Sequence, residues 1–166
     1  MDLLVIRHGI AVEREEWSGH DDLRPLTDEG VSKMRKCAEG IVTQVERVDV
    51  LATSPLVRAR RTAELVAKAL EHDGDLEEVD ELRPGQDPDA FLGWVEQHEG
   101  SDVVAIVGHE PHLSTLVSWL MSGRRESQID LKKGGVCLLR FDDSVAAGKG
   151  QLLWLLTPAQ LRALAR

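Results

Sequence analysis

A chain of 166 residues, 42% hydrophobic and 30% charged, is long enough for one domain with a real core. Its formal net charge of −9 argues against a nucleic-acid partner, which needs a basic face; an anionic ligand would have to be held by a local cluster of Arg and His. No stretch approaches the roughly 20 apolar residues of a membrane span. The start "MDLLVIRHG" lacks a basic leader and a long apolar run, so a cytoplasmic protein without membrane contact is expected. Cys37 and Cys137 are expected to stay reduced.

Strand and helix patterns alternate along the chain. Leu3–Ile6 is a short apolar run suited to a strand buried on both faces. Residues 10–26 are polar and read as a surface loop. Thr27-Asp28-Glu29 supplies a cap and two acids for a helix whose apolar stripe is Val31, Met34, Ala38, Ile41 and Val45. Val48–Thr53 reads as a second strand. Ser54-Pro55 reads as the start of the next helix, with the stripe Leu56, Ala59, Ala63, Val66 and Leu70. Leu76–Leu82 is a weaker third strand, followed by a short helix from Asp87 or Pro88 to about His98. Val103–Val107 is the clearest strand, and Gly108-His109-Glu110-Pro111 turns it into a helix reaching about Met121. Val136–Phe141 and Gln151–Leu156 flank a Gly-rich turn as an antiparallel hairpin, and Thr157-Pro158 caps a last helix. This order predicts a single-domain α/β/α sandwich over residues 1–166, with a mostly parallel central sheet and a C-terminal antiparallel hairpin.

In such folds ligands bind at the carboxyl ends of the strands. There the first strand ends in Arg7-His8-Gly9. The second ends in Thr53-Ser54-Pro55, with Arg58 one helical turn on, and the fourth in Gly108-His109. Two imidazoles and two guanidiniums are thus expected at one edge of the sheet. Arginine forks match phosphate geometry, and a neutral imidazole is a nucleophile that can carry a phosphoryl group. Alone, His8 would read as an exposed strand-end histidine, Arg58 as a solvated helix residue like Arg60 and Arg61, and His109 as a cap or core residue. Their common register argues for a site. His109 and His112, three apart, could pair on a metal, but no third ligand of suitable spacing follows, so no metal is expected. A Cys-x5-Arg loop, an aspartyl-phosphate motif, a Walker loop and a Gly-x-Ser-x-Gly elbow are all absent.

"VIRHGIA" resembles the Arg-His-Gly motif of the histidine phosphatase superfamily, relatives of the cofactor-dependent phosphoglycerate mutases. "ATSPLVRARRTAELVA" is similar to its Ser-Pro-x-x-Arg-x-x-x-Thr-Ala segment, and "VVAIVGHEPHLSTLV" to its strand-Gly-His block. "DDLRPLTDEG" is closest to the branch of small SixA-type phosphohistidine phosphatases. The resemblance implies a phosphoglycerate mutase-like fold. It implies that His8 is the phosphorylated nucleophile, that Arg7 and Arg58 hold the phosphoryl oxygens and that His109 is the second pocket histidine. It also implies no metal and no organic cofactor. Larger members use a carboxylate after the third strand as general acid; here "VDELRPG" offers Glu81 first and Asp80 next, without the family's Glu-to-Gly spacing. The usual Asn after Arg-His-Gly is missing, and Arg24 is a candidate phosphate contact in its place. Gly9 lets the backbone turn or approach the substrate.

A phosphohistidine can leave as neutral imidazole and depends less on an acid than an alkoxide does. With short loops and no lid, the expected substrate is a phosphohistidine on a histidine-carrier or phosphotransfer domain in signal transduction. The alternatives are a phosphatase for small phosphate esters with Glu81 as acid, and a non-catalytic phosphate-binding module. A monomer is the simplest expectation. His20, His72, His98 and the acids at 77–81 read as surface groups, and Trp17 as part of the loop near the site.

Overall fold

In the computed structural model, which describes residues 1–165, six strands form one sheet. They are β1 (Asp2–Arg7), β2 (Val50–Thr53), β3 (Leu76–Glu78), β4 (Val103–Gly108), β5 (Val136–Arg140) and β6 (Gln151–Leu156). Their order is β3-β2-β4-β1-β5-β6, with β1 to β4 parallel and β5 antiparallel to both its neighbours. The helices are α1 (Asp28–Val42), α2 (Val57–Ala69), α3 (Pro88–Val95), α4 (His112–Ser122) and α5 (Pro158–Leu164).

Period-2 alternation sorts the central strands between two cores. Leu4, Ile6, Ala105 and Val107 face α1, α2 and α5, packing with Met34, Ile41, Ala63 and Leu161. Leu3, Val5, Val104 and Ile106 face α3 and α4, packing with Phe91, Val95, Leu113 and Val117. Burial on both faces explains why these strands read as unbroken apolar runs. The predicted three-layer sandwich and terminal hairpin are therefore what the chain adopts.

Two glycines set how closely the layers meet. A Cβ at Gly40 would lie 2.0 Å from the Leu161 carbonyl oxygen, so α5 sits directly on α1. A Cβ at Gly30 would lie 2.0 Å from the Ile10 carbonyl oxygen, so the loop after β1 rests on the first turn of α1. Thr27 caps that turn through the Gly30 N–H, as expected.

Four boundaries differ from expectation. The second strand starts at Val50 and α1 ends at Val42. The third strand stops at Glu78, and Asp80–Leu82 tightens into a 3-10 turn. Ser54-Pro55 does not open α2, which begins at Val57 with Leu56 at the cap position and no side-chain cap bond. The reason is the sheet: the Ser54 N–H still donates to the Val107 carbonyl, holding the residue in the ladder.

Candidate active site

The register of the central strands builds the site. Arg7 pairs with Gly108 across β1 and β4, and the His8 N–H donates to the Gly108 carbonyl at 3.1 Å. Thr53 pairs with Val107 across β2 and β4. His8, His109 and Ser54 are thus the next residues off three adjacent strand tips. The His8 and His109 rings lie 5.1 Å apart, centroid to centroid, and both are buried.

His8 Nδ1 lies 2.7 Å from the Gly9 carbonyl oxygen. A carbonyl only accepts, so Nδ1 carries the proton and Nε2 keeps the lone pair. Burial, then the positive charges of Arg58, Arg7 and Lys133, hold the His8 pKa down at about 3, although the Gly9 bond opposes this. His109 is pushed to about 2 by burial, with His8 and Arg58 adding to the effect. Both rings are neutral at physiological pH. His109 Nε2 is 2.8 Å from Ser54 Oγ, which also accepts the Leu56 N–H at 3.4 Å.

The two guanidiniums are half engaged. Arg7 Nη1 donates to the Leu131 carbonyl at 2.8 Å. Arg58, second residue of α2, donates through Nη1 to the Asp21 carbonyl at 2.9 Å and through Nη2 to the Asp21 carboxylate at 3.1 Å. Arg7 Nε, Arg58 Nε and His109 Nδ1 are buried with no hydrogen-bond partner among the described residues. An unmatched buried polar atom costs roughly 1–3 kcal/mol. Three of them on the residues around a neutral imidazole form a cradle for an acceptor-rich group such as phosphate.

Gly9 donates its N–H to Thr62 Oγ1 at 3.1 Å, and the Thr62 hydroxyl donates to the Arg58 carbonyl at 2.8 Å. One threonine thereby ties the loop after His8 to the helix carrying Arg58. Arg24 donates through Nε to Asp21 at 2.9 Å and through Nη1 to the Val12 carbonyl at 2.7 Å, bracing the loop. Glu81 is half-buried in the turn after β3. The carboxylates whose charge reaches the site arginines include Asp21 and Asp22 at Arg58 and Glu110 and Asp130 at Arg7. His112 turns away, its Nδ1–H donating to the Arg83 carbonyl at 2.9 Å.

Sequence reasoning missed Asp21, Ser54, Thr62 and Lys133 as site residues. Thr62 and Asp21 stand inside quoted motifs, Ser54 carries the local signature of a cap, and Lys133 lies in a loop with no periodic signal. Two surface assignments also change. Glu77 accepts the Trp94 indole N–H and meets His98 Nε2, both at 3.1 Å, and the His98 ring lies 4.7 Å from that indole.

A family model of the histidine phosphatase superfamily (branch 1) matches residues 3–84. The chain belongs to that superfamily, and it is a phosphatase. Within the superfamily the likeness runs to the SixA-type branch. Phosphohistidine phosphatase SixA of Escherichia coli is 27% identical over 164 residues, 98% of this chain and 97% of its own. An uncharacterised protein of Picosynechococcus is 34% identical over 142 residues, 84% of this chain and 85% of its own. The solved structure of the protein histidine phosphatase SixA complexed with tungstate superposes with a TM-score of 0.85 at 27% identity, covering 97% of this chain and 99% of that one. Phosphoglycerate mutase from Bacillus anthracis, at 15% identity, shares the fold with a TM-score of 0.73 over 99% of this chain and 96% of its own.

Proposed function

We propose that this phosphatase acts on phosphohistidine carried by a protein, through a phospho-His8 intermediate. The observation that carries the reading is the protonation geometry of His8. Its Nδ1–H is committed to the Gly9 carbonyl, so Nε2 keeps a lone pair, while Arg7 Nε, Arg58 Nε and His109 Nδ1 are left without partners among the described residues.

His8 Nε2 attacks phosphorus and forms the new P–N bond. The substrate's P–N bond breaks, and its imidazole leaves neutral because the distal nitrogen already holds a proton. Arg7 and Arg58 hold the phosphoryl oxygens, and Nε of each is a free donor for them. The Ser54 hydroxyl donates to His109 Nε2, which puts the His109 proton on Nδ1 and makes it a third donor. In the second step water attacks phosphorus and gives its proton to the departing phosphate. His8 leaves as neutral imidazole, since the Gly9 bond has kept its Nδ1 protonated. Neither step calls on an enzyme acid. No metal or organic cofactor enters the scheme. The protein works as a cytoplasmic monomer in this reading.

The test offers a phosphohistidine carrier domain and a small phosphate ester to wild type and His8→Ala. Expected are an acid-labile phosphoenzyme and carrier turnover in wild type, and neither in the variant. Full turnover by His8→Ala, or efficient ester cleavage with the carrier untouched, would refute the proposal.

A further inference from the structure

Arg58 is the most confined cation of the site, its side chain 4% exposed, and its counter-charge is Asp21. Asp21 does more than balance it. Its backbone carbonyl takes Arg58 Nη1 and its carboxylate takes Nη2, so two of the guanidinium's five donors are occupied from one residue. The other carboxylate oxygen takes Arg24 Nε at 2.9 Å, and Arg14 Nη1 stands 3.6 Å away. Asp21 itself is fixed in place. It opens a 3-10 turn capped by the His20 side chain, and the next residue, Asp22, pairs with Arg83 at 2.8 Å. Arg24 also anchors the loop to Val12. The result is a carboxylate held against the far end of Arg58, with the Nε edge left without a partner.

Two effects on a bound phosphate follow, of opposite sign. Anchoring both Nη atoms fixes the plane of Arg58 with Nε free to donate, which favours an ordered transfer step. The same carboxylate places a negative charge beside a cation that a phosphate also seeks, which weakens the hold on any anion resting there. An inert brace would give only the first effect.

We infer that Asp21 is a positioning residue for Arg58 that also lowers the pocket's affinity for free phosphate, so that product leaves readily. The inference rests on the reading of this pocket as the phosphate site. In the free enzyme Asp21 satisfies a buried charge that would otherwise be unpaired. After hydrolysis it competes with the inorganic phosphate for that charge. Substrate is less affected than product, because a carrier protein adds contacts of its own outside the cradle.

The test compares wild type with Asp21→Asn and Asp21→Glu, using inorganic phosphate as competitive inhibitor at low salt and circular dichroism to confirm folding. Asp21→Asn keeps an acceptor and the backbone carbonyl but loses the charge. Its expected signature is split: phosphate binds about tenfold tighter while kcat falls about tenfold. Asp21→Glu keeps the charge, so its phosphate affinity stays near that of wild type. A folded Asp21→Asn that binds phosphate more weakly or unchanged would overturn the inference and leave Asp21 a brace. If neither asparagine nor glutamate folds, phosphate inhibition of Asp21→Ser decides instead. It too removes the charge, so phosphate should bind tighter, and weaker or equal binding refutes the idea. If wild type itself shows no inhibition by phosphate, the pocket reading falls first.

Discussion

The neutral state of His8 and His109 can be checked without a substrate, through the pH dependence of folding. His8 and His109 have folded pKa values of about 3 and 2, against 6.5 for a free side chain. The signs run one way. Above pH 6.5 both rings are neutral in folded and unfolded chains, and stability is full. As pH falls below 6.5 the unfolded chain takes up protons that the folded pocket refuses, so stability drops until the folded values are reached. At pH 5 the gap to 6.5 is 1.5 units, which at about 1.4 kcal/mol per unit is about 2 kcal/mol for each ring. The pair should therefore remove about 4 kcal/mol between pH 7.5 and 5, a large part of a typical 5–15 kcal/mol. Burial lowers the His112 pKa as well, which adds in the same direction. Carboxylates contribute little in this window because they titrate lower. The assay is urea unfolding at both pH values in phosphate-free buffer. In His109→Asn the loss should shrink by about 2 kcal/mol. A wild type losing under about 1 kcal/mol, or a variant losing as much as wild type, would show that these rings take up protons in the folded protein and would refute the reasoning.

Other outcomes follow from single contacts. Ser54→Ala removes the hydroxyl that orients His109; kcat should fall about tenfold with KM little changed, and an unaltered kcat would discount Ser54 as a donor. Gly40→Ala sets a Cβ 2.0 Å from the Leu161 carbonyl oxygen and should lower stability by about 2–4 kcal/mol in thermal melts. Gly93→Ala, in α3 with nothing within 4 Å of the new Cβ, should raise it by about 0.5–1 kcal/mol, and the two variants measured together check the packing of the α1–α5 layer.

The site was legible in the chain to the extent that it is made by strands. The sequence alone pairs His8 with His109 because each follows an apolar run, and apolar runs buried on both faces lie side by side. Arg58 followed from its distance to a strand end. What stayed hidden is what loops contribute. Asp21 is one acid among several in a polar stretch, and only the turn at His20–Leu23 brings it to Arg58, 37 residues on. Ser-Pro carries the local signature of a helix start, yet Ser54 obeys the sheet, because the ladder bond to Val107 holds it at the strand tip beside His109. Glu77 looked solvated because its partners Trp94 and His98 lie 17 and 21 residues away, beyond any local pattern.

The amide of His8 is a rung of the ladder between the two central strands. The backbone of His8 therefore has no hinge of its own. Separating it from His109 means parting β1 from β4 at the middle of the sheet, where both cores meet. The working geometry lasts as long as the fold does and fails with it. What can still shift around this fixed pair is the loop that holds Asp21 against Arg58.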